Sequence, residues 1–385
     1  MWKHLVANVM TLMIIGLVVV GGVLAWGRSE YAAQGPLDAA ICLQVESGST
    51  MRRVSEDLAE QGAISNGAIF RMGADYSGKS DALKAGSFLV PQGASMADIT
   101  EIVTAGGRST CGTEIVFRVG VSGQDVLVRE LDPVTNRFAV IAEFDPATGE
   151  TNTTYEEMRG AVDTRYRISL AEGVTSWQVV EALKSADFLE GTVEDIPPEG
   201  ALAPDSYEVT VGTSVLDLLG AMEARQDARL AETWQNRVEG LPIATPEEAL
   251  ILASIIEKET ALPEERRTVA SVFVNRLRQG MRLQTDPTVI YGVTEGRGAL
   301  GRGIRQSELR DDNPWNTYVI DGLPVTPIAN PGLESLKAAV DPEETELLFF
   351  VADGTGGHAF AKTLTEHNEN VAKWREIEAN QGDSN

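Results

Sequence analysis

Thr245-Pro-Glu-Glu-Ala-Leu-Ile-Leu-Ala-Ser-Ile-Ile-Glu-Lys-Glu-Thr-Ala261 is the stretch from which the rest of the chain is best read. Thr245 suits a helix cap, Pro246 the first helical position, and Glu248 stands three residues after the cap, which is the capping-box pattern. From Ala249 to Ile256 the only polar side chain is Ser254. A helix apolar on nearly every face is expected to be buried. Yet it ends in two acids, Glu257 and Glu259, where the helix dipole favours cations. Departures from local rules concentrate at functional sites.

Two residues apart on a helix, Glu257 and Glu259 point in widely different directions. Glu259 shares a face with Leu252, Ile255 and Ile256, and Glu257 with Ala253 and Ser254. A carboxyl set against apolar neighbours has its pKa raised by desolvation, which suits a general acid near neutral pH. On pattern alone, a solvated helix end accounts for both acids as well.

Composition removes several classes of function. Acids outnumber bases 57 to 32, for a formal net charge of -25 across 385 residues. Binding a nucleic-acid backbone needs clustered Lys and Arg, so nucleic acid is not an expected partner. The sequence has no P-loop, no dinucleotide glycine fingerprint and no zinc-type Cys/His spacing, and no cofactor or metal is expected. Cys42 and Cys111 are the only cysteines. An exported chain could join them in a disulfide, and two buried thiols fit the spacing equally.

Residues 5–26 carry no charge and are long enough to span a bilayer, with Trp2 and Trp26 at the ends where interfacial aromatics belong. A cleaved signal peptide would have a shorter apolar core and a small-x-small cleavage site, which Ala25-Trp26-Gly27 fits poorly. The reading is an uncleaved anchor, with the remainder outside the cytoplasm.

Beyond a short linker the chain repeats itself. Ser47-Gly-Ser-Thr-Met51 leads into an amphipathic run through Val54, Leu58 and Ile64, and Glu172-Gly-Val-Thr-Ser176 into one through Val179, Val180 and Leu183. Shorter echoes follow at Gly93–Asp98 and Gly212–Asp217, each after a strand candidate (Phe88–Val90 and Tyr207–Val209). This predicts two strand-helix, strand-helix units, at 41–106 and 166–226. Such units resemble LysM modules, which bind N-acetylated glycans; a duplicated scaffold that binds nothing fits as well. Between them, residues 108–163 alternate strongly (Glu114–Val121, Arg137–Phe144) and read as a β-rich insertion of hairpins. Residues 215–239 read as a long charged helix ending at Gly240.

After the opening stretch, Glu264–Gly280 reads as a second helix. Gln284, Thr285 and Asp286 lie among apolar neighbours; Asp286 before Pro287 suits a turn or cap, or the three line a cleft with Glu259. Residues 294–314 read as a surface loop, Asn316-Thr-Tyr318 as the start of a short strand, 333–340 as a helix, 347–352 as a buried strand, and about 364–379 as a final helix. His358 follows two glycines, where backbone could approach a ligand closely.

Ala253-Ser-Ile-Ile-Glu-Lys-Glu-Thr260, Val272-Phe-Val-Asn-Arg-Leu-Arg278, Met281-Arg-Leu-Gln-Thr-Asp-Pro-Thr-Val-Ile-Tyr-Gly292, Asn316-Thr-Tyr318, Gly322-Leu-Pro324, Ala352-Asp-Gly354 and Gly357-His-Ala-Phe360, taken in order, resemble the endolytic murein transglycosylase (YceG-like) family. The match is dense over about 245–375 and looser over the anchor and the LysM-like region; the 108–163 insertion is longer than the family's compact form. The resemblance implies an anchored inner-membrane lyase with its catalytic part in the periplasm. It would cut the MurNAc-β-1,4-GlcNAc bond within peptidoglycan strands, leave 1,6-anhydro-MurNAc ends and terminate nascent strands. Glycan strands are the implied partner and peptidoglycan synthases are candidate partners. The family's catalytic acid falls on Glu259. Gln284, Asp286, Tyr291, Asn316, Tyr318 and His358 are carried over as substrate-binding candidates. The alternatives are a non-catalytic glycan-binding scaffold and a muramidase hydrolysing the same bond, in which Asp286 would be the second carboxylate.

The expected fold class is α+β: a cytoplasmic tip (1–4), a transmembrane helix (5–26), a linker (27–37), a LysM-like domain (38–107), the β-rich insertion (108–163), a second LysM-like unit with a connecting helix (164–240), a catalytic domain (241–378) and a flexible tail (379–385).

Overall fold

A computed structural model describes residues 2–106, 109–149, 152–161 and 163–382. Residue 1 of the expected tip, the expected boundary at 107/108 and residues 383–385 of the expected tail lie outside the described residues. Helices and sheets are mixed, and the chain divides into two compact units: residues 1–116 with 127–144 and 151–165, and residues 117–126 with 145–150 and 166–385.

The first unit begins with one unbroken helix, α1 (Trp2–Ala32). Its Ala7–Ala32 portion is long and apolar enough to cross a bilayer, and the most apolar part of it is not buried against the protein. The expected linker is helical at residues 27–32. Tertiary contacts extend the helix that far: Tyr31 Oη donates to Thr100 Oγ1 at 2.8 Å, and Glu30 Oε1 accepts from Ser65 Oγ at 2.7 Å. Next come β1 (Ile41–Val45), α2 (Met51–Glu60), α3 (Gly67–Tyr76), β2 (Gly86–Val90) and α4 (Met96–Thr104). β1 and β2 pair antiparallel, with Leu43 opposite Phe88. Each helix starts where a short polar side chain takes up a free N–H: Thr50 for α2, Asn66 for α3, and a full capping box between Ser95 and Asp98 for α4. Leu43, Val54, Leu58, Phe70, Phe88 and Ile99 form the core. Cys42 and Cys111 are joined by a disulfide, with Cα atoms 5.6 Å apart.

β3 (Thr113–Val119), β4 (Gln124–Asp132) and β5 (Arg137–Phe144) follow, then α5 (Thr153–Met158), β6 (Arg165–Leu170), α6 (Ser176–Leu183), β7 (Leu189–Glu190), β8 (Ser206–Val209) and β9 (Thr213–Ser214). The strands expected as an insertion of hairpins belong to a five-stranded sheet of order β5-β4-β3-β6-β8, and the insertion also contains a helix, α5. The burial of β3 explains the sheet: Thr113–Phe117 are buried without alternation, as in a strand covered on both faces rather than the edge of an exposed hairpin.

The second unit is completed by α7 (Val215–Gln235), α8 (Pro246–Glu259), α9 (Arg266–Arg278), α10 (Asp286–Thr294), α11 (Leu333–Val340), the antiparallel hairpin of β10 (Phe349–Ala352) and β11 (His358–Ala361), and α12 (Leu364–Gly382). α8 is the buried centre: Ala249 and Ile251–Ile256 are all buried, packed against α7, α9 and α11. Its one internal hydroxyl is satisfied, because Ser254 Oγ donates to Ile251 O at 2.7 Å and accepts from Ile328 N at 3.0 Å.

Several expectations need correction. Asn316–Tyr318 is turn, not strand: Asn316 N bonds back to Asn313 O and Val319 N to Asn316 O, each at 2.9 Å, so these backbone groups are used locally. The expected strand 347–352 starts at Phe349 and is half-buried. The helix expected over 215–239 ends at Gln235, where Asn236 N closes the last turn onto Glu232 O and Thr233 O. The tail is helical through Gly382.

Candidate active site

Three short segments and a hairpin gather at the C-terminal end of α8. Leu283 is buried beneath the first segment, where Gln284 adopts a left-handed backbone with φ of 48°. A non-glycine residue held in that region marks local strain of the kind seen at sites. The turn at 316–318 fixes this segment. Thr317, fully buried, receives Thr285 N on its hydroxyl at 3.0 Å, shares a hydroxyl contact with Thr288 at 2.9 Å, and receives Gln284 N on its carbonyl at 3.1 Å.

Thr285 Oγ1 donates to Glu259 Oε1, so the acid at the helix end meets the segment expected to face it. Burial pushes the Glu259 carboxyl above the usual carboxylate range; the charge of Asp286 pushes the same way, while the Thr285 bond, His358 and Arg276 pull it down. Asp286 is exposed and accepts from Tyr318 Oη at 2.6 Å. Burial, then this bond, raises the Tyr318 phenol. Arg276 lies beneath, nearly buried, donating from Nε to Leu348 O at 2.7 Å and from Nη1 to Leu283 O at 2.6 Å, with its guanidinium 5.4 Å from the centre of the Phe349 ring.

His358 opens β11 and is held by Glu265. Glu265 Oε2 lies 2.7 Å from Nδ1 of the ring, and its Oε1 accepts from His358 N at 2.9 Å. In the folded chain the Glu265 carboxylate lies against the glycine pair before His358. A Cβ on Gly357 would fall 2.6 Å from Glu265 Oε1, so a side chain there would have to move the carboxylate that holds His358. Facing a carboxylate, which can only accept, Nδ1 is the protonated nitrogen, and Nε2 is the ring edge turned from Glu265.

Glu257 turns away, as the helical spacing predicts. Its carboxyl accepts from Gly332 N at 2.9 Å and lies 3.6 Å from Arg266, which also reaches Glu172 at 3.3 Å. Lys258 Nζ donates to Gly173 O at 3.2 Å. Of the three charged groups at the helix end, Glu259 alone faces the Gln284–Asp286 segment.

The other sequence candidates divide. Gln284 is exposed beside Thr285. Asn316 is buried with its amide fully used, donating to Glu308 O at 3.0 Å and Asp311 O at 2.8 Å and accepting from Tyr318 N at 3.1 Å, so it builds the turn that presents Tyr318. Tyr291, five residues along α10 from Asp286 and on a different face, donates to Glu199 Oε2 at 3.1 Å and meets Trp315 edge-on at 5.5 Å. It belongs to a second, half-buried cluster in which Glu199 also accepts from Ser176 N at 2.9 Å. Residue-by-residue reading missed Glu265, Arg276 and Thr317. Glu265 and Arg276 sit within the expected second helix, Glu264–Gly280, and Thr317 inside an expected strand.

The fold and site define a protein of mixed helix and sheet with a half-buried carboxyl, pKa raised, at the end of an apolar helix, flanked by a phenol–carboxylate pair and an oriented histidine. The chain belongs to the YceG-like family, whose model matches residues 143–373. It is 28% identical to the endolytic murein transglycosylase of Bacillus subtilis (strain 168) over 366 residues, covering 93% of this chain and 91% of the relative. It is 25% identical to the endolytic murein transglycosylase of Streptococcus pneumoniae serotype 2 (strain D39 / NCTC 7466) over 385 residues, covering 96% of this chain and 66% of the relative. A crystal structure of a yceG-like protein from Listeria monocytogenes aligns over 86% of this chain and 98% of that chain, at 24% identity and a TM-score of 0.45.

Proposed function

We propose that this protein is a membrane-anchored endolytic murein transglycosylase in which Glu259 is both acid and base. The observation carrying this reading is the Glu259 carboxyl itself: half-buried, raised in pKa by desolvation, and held by Thr285 at the mouth of the strained segment. A raised pKa keeps a proton available for donation near neutral pH. In the proposed reaction Glu259 gives that proton to the glycosidic oxygen as the C1–O bond of MurNAc breaks, leaving the GlcNAc end as a free hydroxyl. The MurNAc C6 hydroxyl then closes on C1 and returns its proton to Glu259. No water enters, and the product is a 1,6-anhydro ring. The attack is intramolecular, so holding the sugar in place supplies much of the rate. Gln284, Asp286, Tyr318 and the Nε2 edge of His358 line the approach as substrate-positioning candidates.

Two features support the wider reading. α1 leaves an apolar stretch of a bilayer's thickness unburied, which suits an inner-membrane anchor with the remainder in the periplasm. The β1-α2-α3-β2 order with its antiparallel pair suits a LysM-like glycan-binding module over residues 38–107. A catalytic domain over about 241–378 and peptidoglycan synthases as neighbours complete the proposal.

A muramidase would need a second carboxylate to activate water, and Asp286, coupled to Glu259, is the candidate. Mass spectrometry of products from purified glycan strands decides between them: anhydro ends support the transglycosylase, whereas reducing ends, one water heavier, support the hydrolase.

A further inference from the structure

The geometry points to α3 as a membrane-surface helix, lying along the bilayer interface with Met72 and Tyr76 in contact with lipid. This rests on the reading of α1 as a membrane span.

The argument starts at the upper end of α1. Trp26 marks the end of the uncharged run, and Glu30 and Tyr31 follow it within the same helix. At about 1.5 Å per residue, they stand about 6–8 Å beyond Trp26 along the axis. Both hold α3. Ser65, just before the α3 cap, donates to Glu30, and the Tyr31 ring lies on Gly73, where a Cβ would come within 2.3 Å of the ring carbon Cε2. Ser65 stands just before α3 and Gly73 lies six residues into it, about 9 Å along the helix from its first residue, Gly67, while Glu30 and Tyr31 differ in height by about 1.5 Å. A segment that meets α1 twice at nearly one height crosses it rather than running beside it. If α1 spans the bilayer, α3 lies close to parallel with the surface, within the headgroup layer.

The composition of α3 fits that place. Ile69, Phe70 and Ala74 are buried in the unit's core. Met72 and Tyr76, four residues apart on one stripe, are left 61% and 89% exposed. A large apolar side chain and a phenol standing free beside a membrane span match an interfacial helix, whose apolar edge sinks several ångströms into the headgroup boundary. Tyr is enriched at that level because its ring is apolar and its hydroxyl is not. The first unit is thereby held against the membrane by two elements instead of tethered on a free linker.

The test uses the full chain in vesicles of phosphatidylethanolamine and phosphatidylglycerol. The two native cysteines are paired, so one introduced cysteine is the only free thiol. Leu17→Cys, Met72→Cys and Tyr76→Cys are each labelled with an environment-sensitive fluorophore and challenged with lipids bearing nitroxide at headgroup or mid-chain depth, and with aqueous iodide. The expected result is mid-chain quenching at position 17, and at 72 and 76 headgroup-depth quenching with several-fold protection from iodide compared with the same protein in detergent. Quenching at 17 with full iodide access and no lipid quenching at 72 and 76 overturns the proposal. Loss of lipid quenching at 17 itself overturns the anchor reading beneath it, so the two failures are distinguishable.

Discussion

Replacing Thr285 by Val removes one hydroxyl and preserves shape. In the folded protein this hydroxyl donates to Glu259 Oε1, and it is the largest influence holding the pKa of that half-buried acid down. A hydrogen bond to a charged group contributes about 1.5–3 kcal/mol. The bond favours the carboxylate over the acid, so its loss favours proton retention by a factor on the order of 10 to 100. The sign follows directly. The acid step needs protonated Glu259, so the alkaline limb of the kcat/KM profile moves to higher pH in the variant. At pH values on that limb, Thr285→Val holds more of the active form than the wild type, while its plateau falls because the carboxyl is less firmly oriented. The assay is release of anhydro-ended fragments from purified strands across pH, for both proteins at equal concentration. An alkaline limb that stays in place or moves to lower pH refutes the assignment of that limb to Glu259 and the role given to Thr285.

Other predictions use the same contacts. Glu259→Gln is expected to be more stable than the wild type at neutral and alkaline pH. The raised pKa means that stability is fully present below the ordinary carboxylate range, near pH 4.3, and is lost as pH rises through the folded value; melting temperatures of the two proteins should diverge upward in pH and converge at low pH. Gly357→Ala forces a methyl group toward Glu265, which lies 2.6 Å from the added atom, and should displace His358. The expected loss is up to about a hundredfold in kcat/KM from misplacement, with unchanged circular dichroism. Replacing both Cys42 and Cys111 by Ser opens a link between residues 69 apart in sequence and should cost about 4 kcal/mol by loop-closure entropy, read from the urea midpoint.

What the sequence made legible follows from local physics. The start of α8 was readable because Thr245, Pro246 and Glu248 act within one turn, and its burial because Ala249–Ile256 leaves no polar face. Gly turns and Ser or Thr caps announced α2, α4 and α6 for the same reason. α1 was readable as an apolar helix of membrane-spanning length, but not its continuation to Ala32, which depends on Tyr31 and Glu30 meeting distant residues. Asn316–Tyr318 looked like a strand because nothing local reveals that the Asn316 amide closes a turn onto Glu308 and Asp311. The direction of Glu257 away from Glu259 followed from helical angle alone. The pairing of Glu265 with His358, 93 residues apart, did not, because only the folded chain brings them together.

The most direct test of the account is the product spectrum of Glu259→Gln beside the wild type on the same purified glycan strands. The amide keeps the size of the side chain and a hydrogen-bond acceptor for Thr285 but can neither give nor take the proton. The account predicts anhydro-ended internal fragments from the wild type and their reduction by about 100-fold or more in the variant, with strands still bound. Anhydro fragments released by the variant at the wild-type rate would contradict it.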